Sequence, residues 1–182
     1  MSIVLIGSTS GSVTLQEPAI SGSTVLDLPN VSGTVLTTTS PKAGNVIQVV
    51  QSTYSTLTSS SSGSFSSSGL TASITPTSSS SKILILISNS VYINRSGNDA
   101  GAKLQLVRGA TALITQNGAT LYIFTGGSGA ENITQPFMQY LDSPATTSST
   151  TYTLNFATNG SGSVTIQYSN NSAYMTLMEI AG

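Results

Sequence analysis

Apolar residues return at every second position along most of this chain, in short runs separated by Gly, Ser, Asn and Pro. That period turns one face of a pleated strand inward and the other outward. Tyr152, Leu154 and Phe156 form one such face, and Val164, Ile166 and Tyr168 form another. Asn159-Gly160-Ser161-Gly162 reads as the hairpin between them. Leu104 and Leu106 share a face opposite Lys103 and Gln105, and Thr71 to Thr75 alternates into Pro76. Thr111 to Thr115 and Thr120 to Thr125 are short strands about the turn Gln116-Asn117-Gly118. Thr134 to Leu141 continues the pattern around Phe137 and Tyr140, and a last strand runs from Tyr174 to Ile180. Lys82 to Ile87 differs, because its unbroken apolar run predicts a strand covered on both faces, extended by Val91 to Asn94 through a bulge. No stretch of 11 residues carries a helical period. About eight to ten strands in roughly 140 residues predict an antiparallel β-sandwich or jelly roll.

The first 43 residues follow a different rule. Gly11, Gly22, Gly33 and Gly44 recur every 11 residues, with Pro18 and Pro29 at one shared offset and Leu15 and Leu26 at another. Each unit reads as one short strand and one turn. Such a strand cannot bury a face alone, so the units must stack on each other or on other chains. Ser40-Pro41-Lys42-Ala43-Gly44 is the junction, which divides the chain into a repeat region over 1–43 and a head domain over 44–182. Asn45 to Gln51 opens the head. The tract from Thr56 to Gly69 is rich in serine and allows two readings, a flexible surface loop, or an edge strand or loop bearing Phe65 inward.

Composition sharpens the all-β expectation. Ser and Thr make up about a third of the 182 residues and only 6% are charged, against a usual value of about 25%. Thr, Val, Ile and Tyr favour strands, while helix formers are scarce. With five cations spread singly and a net charge of −1, the chain has no basic cluster for a row of phosphates or an anionic membrane. The start, MSIVLIG, lacks the basic segment of a signal peptide. The longest apolar run, Ile83 to Ile87, is far too short to span a bilayer as a helix.

Histidine and cysteine are absent, which removes Ser-His-Asp and Cys-His catalysis, disulfides and the common zinc sites. The acids Glu17, Asp27, Asp99, Glu131, Asp142 and Glu179 stand singly, so no carboxylate pair for glycoside hydrolysis is evident and a structural role is expected for each. Glu179 is expected to face solvent or cap an edge. Asn94, Asn98 and Asp99 offer oxygen ligands in one loop, but a single carboxylate fits an ordinary turn better than calcium. Gly126-Gly127-Ser128-Gly129 lacks the lysine and helix of a phosphate loop and reads as a hairpin tip. Asn132 begins a sequon without a secretory signal. The seven tyrosines fall mostly in strand patterns, and either pack in core or interface or, near loop tips, line a shallow glycan site.

The segment GSVTLQEPAISGSTVLDLPNVSGTVLTTTSP resembles the repeat of tailed-bacteriophage virion and fibre proteins, especially of marine and cyanobacterial phages. GNVIQVVQSTYST, ITPTSSSSKILILISNSVYI and KLQLVRGATAL resemble the head domain of such proteins. The ending TYTLNFATNGSGSVTIQYSNNSAYMTLMEI is similar to the last strands of trimeric jelly rolls of the C1q and tumour-necrosis-factor type. The resemblance implies a non-enzymatic homotrimer without cofactors or metal, carried on a virion assembled in the host cytoplasm, as a short fibre or a capsid decoration. It implies heads packed at a threefold axis through strands such as Lys82 to Ile87. Ile3, Val4, Leu5, Ile6, Leu15 and Leu26 would then make docking and trimer contacts with other virion proteins. Because the repeat begins almost at Met1, the expectation is a short protein anchored directly on the particle. The alternative is a receptor-binding tip whose loops, with Asn94, Asn98, Asp99 and Asn132, meet host surface glycan. Neither reading involves nucleic acid or membrane insertion.

Overall fold

Every regular element among the described residues is a strand, apart from one 3-10 turn at Tyr168–Asn170. The computed structural model describes residues 2–6, 12–16, 41–95, 97, 99–117, 122–123 and 130–182. The chain divides into two units, residues 1–35 and 36–182. In the first, β1 (Ser2–Ile6) and β2 (Ser12–Gln16) pair antiparallel, with Ile3 opposite Leu15 and Leu5 opposite Val13. β2 coincides with the strand expected in the first repeat. Gly11, Pro18, Gly22, Leu26, Pro29 and Gly33 lie outside the described residues.

The second unit is a two-layer sandwich. One layer contains β3 (Val46–Tyr54), β6 (Lys82–Ser88), β12 (Phe137–Asp142) and β15 (Ala173–Ile180), in the order β12-β6-β15-β3. A second sheet contains β4 (Thr58–Ser60), β7 (Val91–Asn94), β11 (Glu131–Thr134) and β14 (Ser163–Ile166), in the order β11-β7-β14-β4. The two orders match, since each strand of one sheet is the neighbour along the chain of its counterpart in the other. They are four long strands, each interrupted once, at residues 55–57, 89–90, 135–136 and 167–172. The opposing layer contains β5 (Ser66–Ile74), β8 (Ala100–Arg108), β9 (Thr111–Gln116), β10 (Tyr122–Ile123) and β13 (Thr150–Gly160). Its order is β10-β8-β13-β5, with β9 also on β8. All pairings are antiparallel. From β3 through β5, β6 and β8 the chain changes layer at each step, and β8 and β9 form a hairpin. The changes resume through β12, β13 and β15, which gives the jelly roll expected from the sequence.

The core forms where alternation turns apolar side chains inward from both layers. Ile83, Ile85, Met175 and Leu177 meet Leu70, Leu104, Leu154 and Phe156, all fully buried. At about 25 cal/mol per Å² removed from water, this is the main stabilising term of the unit. The Ser-rich tract contributes two edges of the sandwich, β4 and the start of β5, so it is edge strand rather than flexible loop, but Phe65 lies between the two strands and does not join the core. Phe65 is half-buried under the Lys103 ammonium, 5.7 Å from its ring, and Lys103 also donates to the Gly63 carbonyl at 3.0 Å.

Several expectations change. β13 and β14 are not a hairpin pair, because they lie in different sheets and the Gly160–Gly162 turn carries the chain across the sandwich edge. Gly160 (φ 92°) is required there, as a Cβ would collide with the Asp99 carbonyl. β9 and β10 do not pair with each other either; both add to β8. The run from Thr134 to Leu141 breaks at Gln135–Pro136, where proline cannot donate to a ladder. Tyr168 leaves the inward face of Val164 and Ile166, because Gln167 adopts a left-handed φ of 52° and reverses the alternation. Its ring instead stacks on Tyr92, with centroids 4.3 Å apart. Lys82 to Ile87 is not covered on both faces: Ile83, Ile85 and Ile87 are in the core, while Leu84 and Leu86 remain half-buried on the outside.

Candidate functional site: an apolar outer face

The outward residues of β12, β6, β15 and β3 carry an apolar row that the described residues of this unit leave uncovered. Register sets Leu141 opposite Leu84, Leu84 opposite Met178, and Met178 opposite Val49. One apolar row therefore crosses all four strands. Ile180 and Val46 extend it on one side, Leu86 sits above its centre, and Phe137 and Tyr174 mark its far end. Val49 and Phe137 are each 56% exposed, Leu141 51% and Tyr174 44%. Lys82 is the only charged side chain that projects from these strands on that side. Four strands about 4.8 Å apart, each about seven residues at 3.3 Å, span roughly 450 Å² of sheet. Gln51, Thr53, Ser88, Gln139 and Thr176 share that area, so the apolar part lies within what a soluble monomer exposes and is under half of one partner's share in a stable complex. The largest apolar patch of a monomer is often a functional one.

The acids nearest this face hold the sandwich together. Glu179, on the inward side of β15, is fully buried rather than facing solvent as its sequence setting suggests. Its carboxylate accepts from Gln48 Nε2 at 2.5 Å and from the Thr77 backbone N–H and hydroxyl at 2.7 and 2.8 Å. Burial pushes its pKa up, but these hydrogen bonds outweigh burial and hold it below the ordinary glutamate value. Asp142 joins the layers at the end of β12. It accepts from both Arg108 Nη1 (2.8 and 2.9 Å) and the Tyr152 hydroxyl (2.7 Å). Burial, and then the Asp142 carboxylate, raise the Tyr152 phenol above its usual value. Neither acid has a second carboxylate as partner for hydrolytic chemistry, and no group of three potential metal ligands occurs among the described residues.

The residues singled out from the sequence fall in several places. Ile3, Val4, Leu5 and Ile6 are in β1 and Leu15 in β2, with Ile6 84% exposed; Leu26 lies outside the described residues. Asn94 pairs in register with Glu131 and Ser163, whereas Asn132 pairs with Ile93, so Asn94 and Asn132 occupy opposite faces of their sheet. Asp99 anchors the Gly160–Gly162 turn through its carbonyl, which accepts from the Ser161 N–H at 3.0 Å; Asn98 and Gly126 to Gly129 lie outside the described residues. Tyr152 is core, while Tyr92 and Tyr168 form a surface pair. The Glu131 carboxylate beside Tyr92 pushes that phenol up to about 12. Among the described residues no helix is long and apolar enough to cross a membrane. The resemblance pointed to Lys82 to Ile87 as a packing strand, but the row across four strands had no local signal beyond Leu84 and Leu86 between three core isoleucines.

No family model matches the chain, and no curated protein matches it. Among solved structures, that of the infectious bursal disease virus Gx strain is similar at 18% identity and a TM-score of 0.37, covering 94% of this chain and 43% of that one. Infectious bursal virus derived T=1 particles are similar at 16% identity and a TM-score of 0.36, covering 97% and 44%. The chain thus spans less than half the length of the solved chains it resembles.

Proposed function

We propose that this protein is a non-enzymatic structural component of a phage virion, a homotrimeric short fibre or capsid decoration. The observation that carries this reading is the apolar outer face of β12-β6-β15-β3. A jelly roll with a well-formed core on one side of this sheet has no folding reason to place Leu141, Leu84, Met178 and Val49 in a row on the other. Burying that row against copies of itself removes it from water and leaves the hydroxyl-rich opposite layer outside. The scarcity of charge fits such packing, because few ions need desolvation. The resemblance of the N-terminal repeats to phage virion sequences supports docking through residues 1–43, with Ile3, Val4, Leu5, Ile6, Leu15 and Leu26 as contacts to other virion proteins.

Native mass measurement of the full chain tests the assembly. The expected mass is three times 18.5 kDa, and a stable monomer at micromolar concentration contradicts it. Immunogold labelling of purified particles tests the location. Label on intact particles is expected with the full chain, and its persistence after deletion of residues 1–40 contradicts the docking role.

A further inference from the structure

The four long strands of one layer are all interrupted at the same level, and a pocket of about 410 Å³ lies at this seam. Ser88 and Asn89 enter it from the break after β6, Gln135 from the break before β12, and Asn170 and Asn171 from the turn before β15; Tyr174 lines it too. The size is in the range of small-molecule sites, but the chemistry is unusual for one, since amides and hydroxyls dominate and no lining side chain is charged. Asn89 is only 3% exposed, yet neither its Nδ2 nor its Oδ1 makes a hydrogen bond within the protein. A buried amide with both ends unpaired is costly unless something else binds it. The turn that forms the opposite rim is strained, with Gln167, Ser169 and Asn170 all at φ between 52° and 57°. Asparagine adopts that conformation readily, but for Gln167 and Ser169 it is uncommon and is held by the surrounding structure.

We propose that this seam pocket binds a neutral saccharide. Each sugar hydroxyl both donates and accepts, and so does each carboxamide, so the exposed Gln135, Asn170 and Asn171 can pair with adjacent hydroxyls of one ring, with the buried Asn89 amide directly behind them. Tyr174 supplies an aromatic ring for the apolar face of the sugar. With no cation lining it the pocket does not suit a sialic acid or phosphate, and with no carboxylate it does not suit an amine or metal ion. The inference goes beyond the assembly role; the two share Tyr174, at the edge of the apolar face, but a chain that proved monomeric would still carry the pocket.

Titration of the full-length protein with neutral hexoses, N-acetylhexosamines and their disaccharides, followed by NMR of side-chain amide groups, tests it. At least one sugar, at up to about 10 mM, is expected to shift the Asn89 Nδ2 resonance in a saturable manner. Gln135→Ala and Asn171→Ala, both exposed positions, are each expected to weaken that binding roughly tenfold. Two outcomes overturn the proposal: no sugar in the panel moves the Asn89 resonance, or binding is unchanged in both variants. Native mass, recorded on the same samples, reports separately on assembly.

Discussion

The two outward faces of the jelly roll share one core and one alternating pattern, yet they are built for different neighbours. On the β5-β13-β8-β9 layer the outward side chains are Thr71, Ser73, Thr151, Thr153, Gln105 and Thr115, and they bond one another across strands. Ser73 and Thr151 hydroxyls lie 2.7 Å apart, those of Thr71 and Thr153 3.2 Å apart, and Gln105 donates to Thr115 at 3.1 Å. Such pairs satisfy their polar groups laterally and leave a surface at ease in water. On the β12-β6-β15-β3 layer one row instead carries Leu141, Leu84, Met178 and Val49, while the next row keeps a lateral polar pair, Gln51 donating to Thr176 at 3.0 Å. The difference teaches that alternation alone does not say which face of a sheet is the outside of the protein. In the proposed assembly, the side without an apolar row is the one expected to stay in water.

Four substitutions sharpen this contrast, beginning with what the faces share. Phe156→Ala removes a fully buried ring that both layers contact. It is expected to cost about 3–5 kcal/mol in chemical denaturation, whichever face is later altered. Glu179→Gln breaks the buried hydrogen-bond cluster behind the apolar face, at an expected cost of about 1.5–3 kcal/mol. Its pH dependence is diagnostic. The folded pKa lies below that of the unfolded chain, so the carboxylate stabilises the fold above pH of roughly 4.3. That contribution is lost as pH falls through the lower folded value. Urea midpoints of the wild type should therefore drop over that acidic range, and the Gln variant should lack that part of the decline. Tyr152→Phe removes one hydroxyl from buried Asp142 and should cost about 1–2 kcal/mol in the same assay. Ser73→Ala, on the polar face, should cost only about 0.5 kcal/mol and leave the native mass unchanged. A large effect there would mean that the polar face too is buried in an assembly.

Much of the fold was legible in the sequence, for a simple reason. Where one side of a strand is core and the other is polar, as in Tyr152–Phe156 or Leu104–Leu106 beside Lys103 and Gln105, the period of two is unmistakable. The signal failed where both sides are apolar. Ile83 to Ile87 looks like a strand buried twice, and nothing local tells whether the second cover comes from the same chain or another copy. It failed again at the seam, since Asn89–Ser90 and Gln135–Pro136 resemble loops anywhere else. Their common level emerges only once the sheet order aligns them. Tyr168 misled because its placement depends on the backbone of Gln167, which no spacing rule reports. The seam pocket, unlike the loops around Asn94 and Asn132, is assembled from three distant segments and had no contiguous sequence signature.

The most direct measurement places the same charge on either face and weighs the result. Leu141→Asp with Val49→Asp puts carboxylates at the two ends of the apolar row, at positions already half-exposed, while Thr153→Asp with Thr151→Asp does so on the polar layer. Native mass spectrometry at micromolar concentration should find the first pair monomeric and the second as oligomeric as the wild type. If the first pair assembles as the wild type does, or the second alone falls apart, the apolar face is not the surface through which this protein associates.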